Sequence, residues 1–447
     1  MVDTIRRRLK DKKRPNFRLK ILIVFLSLFS LVLSFMFFGR LGAEFVLEKI
    51  DPIALFRDGR YLVLFQNNAE LRSSGGFIGS YAVTEIDDFE IKNLSFNTNI
   101  LAFDRQFSDQ YFIPAPAPLA KFLKGKSWAL RDANYDASFP EAAEDILNFY
   151  TRETGDRVDG IIALNAQVMI DLLKLTGPIH LDKYDLTVSA ENFYDVTQYQ
   201  VEKAYFDNPE NWVINEPKTF LKDLYPEIIG QALKDKLALV KLLRKELEQK
   251  EIILYFTDPL KQQMAEEQNF AGKIPTNQEL KDLFETSQEV DYLYINSNSY
   301  SGDKSSIKIK ESIDYEVTKN NQGHLQANLK ITRIHTGSYV WPDGPNDNWL
   351  RVFVPEGSML LKAKLNEKDI SQAVTVGSEA KKTFFGWQIF TNPGQASILE
   401  FSYLLPMETD SYHLLIQKQP GAIGDGLSVI YDNGVLYRGT LDTDKKL

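Results

Sequence analysis

The 447-residue chain contains no cysteine. That excludes disulfides, thiolate nucleophiles and Cys-based zinc sites, and it suits a compartment outside the reducing cytoplasm. Histidine is scarce. His180, His324, His335 and His413 stand far apart, and none belongs to a His-Glu-x-x-His or similar ligand pair. No zinc is expected, and a Ser-His-Asp hydrolase is not supported. An excess of basic residues is also missing, since the formal net charge is -9. A general nucleic-acid binder needs a basic surface that displaces counterions, so no nucleic-acid partner is expected. There is no Walker motif and no Gly-x-Ser-x-Gly elbow.

The positive charge that is present is concentrated at the start. Residues 1–20, "MVDTIRRRLKDKKRPNFRLK", hold nine Lys/Arg and two Asp. "ILIVFLSLFSLVLSFMFF" (Ile21–Phe38) follows without a charge and with three serines as its only polar residues. As a helix it would span roughly 27 Å, close to the hydrocarbon core of a bilayer. A cleaved signal peptide has a shorter apolar region and a small-x-small site, which Leu41-Gly42-Ala43 matches poorly. The expectation is a basic cytoplasmic tail (1–20), an uncleaved transmembrane helix (21–39), a connector (40–59) and an extracytoplasmic remainder, oriented by the positive-inside rule. The chain is expected in the cell membrane as a single-pass protein, with the membrane as one partner.

From Arg60 the pattern is α/β. "YLVLFQN" (61–67) is a continuous apolar run of buried-strand length, and "GFIGSYAVTEI" (76–86) and "IKNLSF" (91–96) are further strands. "YFIPAPAPLAKFL" reads as part of a long loop. A helix begins at Ser138 or Phe139, before Pro140, and ends at Gly155. "VDGIIAL" (158–164) is a strand, and Asn165 is placed to cap the helix after it. A long helical region runs from Pro217 to about Lys250, with a break near Pro226, and "EIILYF" (251–256) is a strand. Residues 60–295 are read as one α/β domain. Residues 296–447 change texture to alternating strands between Gly, Asn, Asp and Pro, which predicts an antiparallel β-sandwich or barrel.

"ELRSSGGFIGS" (70–80) has three glycines in five residues after the first strand. A dinucleotide loop needs Gly-x-Gly-x-x-Gly spacing and a following helix. Neither is present, because "FIGSYAVTEI" reads as a strand. The stretch is read as a strand-to-strand loop whose glycines permit close backbone approach, and no nucleotide cofactor is expected. Around it stand Arg72, the pair Asp104-Arg105, and Arg131, Asp132, Asn134 and Asp136 of "LRDANYD". Guanidinium forks bind phosphate oxygens bidentately, and nearby carboxylates could hold Mg²⁺ on a pyrophosphate. The same residues equally fit internal salt bridges and turns.

"YLVLFQNNAELRSSGGFIGSY", "LRDANYDASFPEAAEDI", "VDGIIALNAQVMIDLLKLTGPI" and "YHLLIQKQPG" resemble a bacterial family of membrane-anchored proteins, domain of unknown function 4012, over residues 60–425. The order of elements is more distantly similar to the LytR-CpsA-Psr family. That resemblance implies a LytR-CpsA-Psr-like α/β domain behind one membrane helix. It also implies transfer of a glycopolymer from a polyprenyl-pyrophosphate carrier to peptidoglycan, assisted by Mg²⁺. That family's loop arginine falls on Arg72 and its basic/Asn segment on Arg131–Asn134. Its metal-binding Asp after the loop arginine is replaced by the Gly75-Gly76 region, and its Arg-Asp motif falls on Asn97-Thr98-Asn99, with Asp104-Arg105 a few residues downstream. The resulting assignment gives Arg72, Arg131 and Asp132 as catalytic. It gives Arg72, Gly75, Gly76, Arg105, Arg131 and Asn134 as ligand-binding, and Asp104 and Asp136 as metal-binding. The missing carboxylates favour an envelope protein that binds a glycan or polyprenyl-pyrophosphate-linked ligand without turnover. A glycopolymer phosphotransferase is the alternative.

Overall fold

The computed structural model describes residues 55–447 except 89, 300–301, 321 and 409–410. The basic tail, the membrane helix and most of the connector expected above lie outside the described residues. Among the described residues, no helix is long and apolar enough to cross a membrane.

The first unit is a three-layer α/β structure. Strands β1 (Gly59–Arg72), β2 (Gly75–Asp87) and β3 (Glu90–Asn97) form an antiparallel meander, and β4 (Gly160–Asn165) lies parallel to β1. A small hairpin of β5 (Ile179–Leu181) and β6 (Leu186–Val188) stands apart, and β7 (Ile252–Phe256) completes the sheet antiparallel to β4. The order is β3-β2-β1-β4-β7. The apolar run 61–65 is continuous because both faces of β1 are covered. Leu62 and Leu64 pack against the helix Phe139–Thr154, while Tyr61, Val63 and Phe65 pack against a separate helical layer.

The α-helices of six residues or more among the described residues are α1 (Ile100–Ser108), α2 (Ala117–Leu123), α3 (Phe139–Thr154), α4 (Ala166–Thr176), α5 (Phe193–Tyr199), α6 (Pro209–Ile214), α7 (Thr219–Ala232), α8 (Lys236–Glu248), α9 (Pro259–Glu267) and α10 (Asn277–Phe284). Two of them replace the long loop expected after β3. α1 is started by Asn99, whose side chain accepts from Ala102 N–H at 3.1 Å. α2 starts behind Pro116, with Pro118 in its first turn. Pro226 lies inside α7. The break comes instead before Lys236, where Asp235 accepts from Ala238 N–H and caps α8. Asn165 stands at the N-cap of α4 but makes no capping bond.

The second unit is a β-sandwich. Its strands are β8 (Asp291–Ser299), β9 (Ile309–Lys319), β10 (Leu325–His335), β11 (Asn346–Pro355), β12 (Met359–Leu365), β13 (Lys368–Asp369), β14 (Thr375–Glu379), β15 (Lys382–Thr391), β16 (Ala396–Leu404), β17 (Leu414–Gln417), β18 (Asp425–Tyr431), β19 (Gly434–Leu441) and β20 (Lys445–Lys446). One sheet has the order β13-β12-β16-β10-β9-β18-β19 and the other β14-β15-β11-β8-β17-β20. β8 opens the sandwich at Asp291, ahead of the boundary read at 295/296. The pairings β17–β8 and β18–β9 are parallel, so the sandwich is not wholly antiparallel. Both come from late strands that add to strands laid down earlier.

The six-stranded sheet is covered on both faces. Leu293 and Ile295 of β8 enter the sandwich core. Tyr292 and Tyr294, on the opposite face, pack with Ala137, Ile274 and Leu280 of the α/β unit. Every residue of β8 is therefore buried, including Asn296, Ser297, Asn298 and Ser299. This polar end of the strand meets the glycine loop.

Candidate functional site

β1 and β2 are joined by the two-residue turn Ser73-Ser74, with Arg72 paired to Gly75. Just before the turn the register slips: Asn67 faces Phe77, and the next pair is Leu71 with Gly76. Asn68, Ala69 and Glu70 thus bulge out of β1. The bulge folds back over Gly76. A Cβ there would stand 2.5 Å from the Asn67 carbonyl oxygen and closer still to the Asn67 carbonyl carbon and Asn68 nitrogen. Gly76 is further gripped by two asparagines. Its N–H donates to Asn165 Oδ1 (3.0 Å), and its carbonyl accepts from Asn134 Nδ2 (2.8 Å). This is what Asn165 does instead of capping α4, and it is the role of the asparagine in "LRDANYD".

The turn is sealed against the sandwich. Ser73 Oγ donates to Asn298 Oδ1 (2.7 Å) and accepts from Arg351 Nη2 (2.8 Å). The Ser73 carbonyl accepts from Asn296 Nδ2 (2.8 Å), and the Arg72 carbonyl accepts from Gln419 Nε2 (2.8 Å). Residues 71–76 are all buried. The glycine loop is therefore an interdomain clasp rather than the rim of an open cleft.

Four of the candidate residues converge beside this clasp. The Arg72 guanidinium donates to the Ser299 carbonyl, lies 3.7 Å from Glu70 and 3.8 Å from Asp132, and stacks over the Phe77 ring at 5.2 Å. Arg131 pairs with Asp132 (3.2 Å) and Asp104 (3.1 Å). The chain of charges continues through Glu70 to Lys304 of the sandwich, and from Lys304 to Glu202 (3.3 Å). Below it the Lys218 ammonium donates to the Gly79 carbonyl, and burial pushes its pKa down to about 8. Arg72 is only 6% exposed at its side chain, Arg131 20%. Each guanidinium already faces carboxylates, so a pyrophosphate could gain them only by displacing an ion pair.

Burial, with the neighbouring Glu153 second, raises Asp104 to about 8, and burial also raises Glu153. Near neutral pH this pair holds a proton. Asp104 and Arg105 are neighbours on α1, and a helix turns them apart: Asp104 points inward while Arg105 is exposed. Arg105 is not brought to the cluster by any contact described. Asp136 is elsewhere, facing Glu379, Asp145 and Arg351, and is raised to about 7, mainly by burial.

Asp104 and Asp136 do not converge on one point where a magnesium ion could sit. Asp104 is engaged by Arg131 at 3.1 Å, and Asp136 faces Glu379, Asp145 and Arg351, whereas Mg²⁺ needs its carboxylates in one near-octahedral shell. Among the described residues, no three His, Cys, Asp or Glu side chains form a group that could hold a metal.

Sequence reasoning missed the partners that complete the cluster and clasp: Glu70, Glu153, Lys218, Lys304, Arg351 and Gln419. Glu70 stood within the quoted loop, and its place beside Arg72 was a usable signal. The others are distant in sequence. Arg351, fully buried, touches the Tyr135 and Phe353 rings at 5.2 Å and pairs with Glu379.

Residues 58–201 match the model of a family described as protein of unknown function (DUF4012). They include β1 to β6 and the glycine loop, and overlap the first part of the 60–425 span of the resemblance. No curated protein matches the chain. Among solved structures, a putative nutrient binding protein of Legionella pneumophila is 11% identical, covers 31% of this chain and 54% of its own, and has a TM-score of 0.23. Aminopeptidase A of the same organism is 10% identical over 28% of this chain and 16% of its own, TM-score 0.18. An M1 zinc metallopeptidase of Deinococcus radiodurans is 11% identical over 28% and 32%, TM-score 0.16. The matches span about half of the first protein and a third or less of the other two, and at these scores they say nothing of activity.

Proposed function

We propose that this chain is a membrane-anchored, extracytoplasmic cell-envelope protein that binds a glycan without turnover. The observation that supports it is the fate of Arg72. The residue aligned with a transferase's phosphate-binding arginine is buried and engaged by Ser299, Glu70 and Asp132, and the loop that carries it joins two domains. A polyprenyl-pyrophosphate-linked form of the ligand would have to reach Arg131, the more exposed guanidinium of the cluster.

One observation favours the alternative, a LytR-CpsA-Psr-like phosphotransferase. The Asp104–Glu153 pair, which shares a proton near neutral pH, lies against Arg131. A carboxyl that keeps its proton at pH 7 beside a cation has the chemistry of a general acid.

Two measurements test this reading. The absence of native cysteine makes labelling clean: Glu267→Cys, on the exposed side of α9, should react with a membrane-impermeant maleimide on intact cells, and protection from it would refute the topology. The full-length protein should retain isolated cell-wall polysaccharide and release no product from a polyprenyl-pyrophosphate glycan, with or without Mg²⁺. Product formation that disappears in Arg131→Ala would replace the binding reading by the transferase reading.

A further inference from the structure

An aromatic rim crosses the junction of the two domains. On the α/β side, Tyr199, Phe206, Trp212 and Ile214 of the segment from α5 to α6 are exposed, Trp212 at 68%. On the sandwich side, Tyr339 (67%), Val340 and Trp341 are exposed in the loop between β10 and β11. The two sets are joined. Lys203 Nζ lies 3.7 Å from the centre of the Trp341 ring, and next to it Glu202 pairs with Lys304, whose backbone N–H bonds the Pro342 carbonyl (3.1 Å). The rings are held in place. Trp212 Nε1 donates to the Phe206 carbonyl (2.8 Å), and the two rings meet edge to face at 6.3 Å.

Contiguous exposed apolar surface rimmed by polar groups marks an interaction site. Its chemistry narrows the occupant. An aliphatic or lipid partner would be served as well by Leu and Ile, whereas flat rings beside fixed ammonium and carboxylate groups suit the C–H face of a sugar ring with its hydroxyls at the edge. The segment 199–216 carries four acidic residues and one lysine. An acidic rim repels an anionic bilayer, and it repels a polyanionic polymer for the same reason. Position agrees. Lys304 also binds Glu70, which sits in the bulge near the far end of β1 from Gly59; the eight residues from Gly59 to Asn67 alone span about 26 Å at ~3.3 Å per residue. The rim therefore lies towards the opposite end of β1 from its start.

We infer that this rim, centred on Trp212 and Trp341, is a binding surface for a neutral polysaccharide chain. The inference rests on the glycan-binding reading above and assigns it a site and a ligand class.

The test uses the full-length protein in detergent, titrated calorimetrically with chitohexaose and cellohexaose as neutral probes and oligogalacturonate as the acidic one. At least one neutral oligomer should bind saturably. Trp212→Ala and Trp341→Ala should each weaken it at least tenfold, and Trp212→Tyr should recover part of the loss. Leu260→Ala removes an exposed side chain near the start of β1, where the neighbouring Lys261 reaches the Asp58 carbonyl, and should leave binding unchanged. Equal binding by all variants would overturn the rim while leaving the glycan reading intact. Binding of the acidic oligomer alone would overturn the ligand class. Binding of none of the three would overturn both this inference and the reading beneath it.

Discussion

Gly76→Ala separates a structural glycine loop from a ligand cradle. The added Cβ would sit 2.5 Å from the Asn67 carbonyl oxygen, with the Asn67 carbonyl carbon and Asn68 nitrogen nearer still. All three atoms are backbone, so no side-chain rotation can relieve the clash. Ordinary contact needs about 3.4 Å or more, so the β1 bulge must lift by about 1 Å. That strains the two buried hydrogen bonds gripping Gly76, from its N–H to Asn165 and from Asn134 to its carbonyl. A buried polar group left without its partner costs ~1–3 kcal/mol, so the substitution should cost about 2–5 kcal/mol. At ~2–4 °C per kcal/mol for a unit of this size, the melting midpoint should fall by about 10 °C. Gly79→Ala is the contrast. Its Cβ meets the tip of the Lys218 side chain at 2.6 Å, and a lysine can swing away at a cost of about 1 kcal/mol. Thermal melts of the two variants by circular dichroism make the comparison. A Gly76→Ala protein that melts within 2 °C of the parent but no longer binds glycan would refute the reasoning and return the loop to ligand binding.

Two further predictions concern the charged cluster. Arg72→Met removes the donor to the Ser299 carbonyl and one of the two cations facing each of Glu70 and Asp132, which keep Lys304 and Arg131, and should cost ~1–3 kcal/mol; a denaturant titration showing no loss would contradict the clasp. Asp104 ionises near 3.8 when unfolded and near 8 when folded. The native state therefore binds more protons between those values, and its stability contribution, complete below about pH 4, is lost as pH rises towards 8. Asp104→Asn should flatten the decline in melting temperature between pH 5 and pH 8; parallel profiles for parent and variant would show that Asp104 does not hold its proton.

The α/β layer was legible because its signals are local. The apolar run 61–65, the Pro140 helix start and the Gly155 stop each depend on residues within one element. α1 was hidden because the proline-alanine run after it made the whole stretch read as loop, although Asn99 was already a capping residue. Arg72, Arg131 and Asp132 read as catalytic, the two arginines also as ligand-binding, and Asp104 as metal-binding, and the structure does bring the four together. Chemistry alone could not say whether opposite charges gathered in one place face a ligand or one another.

That ambiguity is resolved by burial, which belongs to pairs of surfaces rather than to either sequence. "INSNS" at the end of β8 is mostly polar. It is buried because "RSSGG", 220 or more residues earlier, presents complementary donors and acceptors: Ser73 to Asn298, Asn296 to Ser73, Arg72 to Ser299. Each stretch alone looks solvent-facing, and a polar group pays no burial penalty only when its partner is in place. Two such stretches in one chain therefore carry two readings, a pair of surface loops or one internal seam. The same argument applies in reverse at the rim. Trp212 stays 68% exposed, and Trp341 keeps 37% of its surface open although Lys203 lies over its ring. A polar seam that finds its complement within the molecule is structure, whereas an aromatic rim left partly open among the described residues is where a partner from outside should be sought.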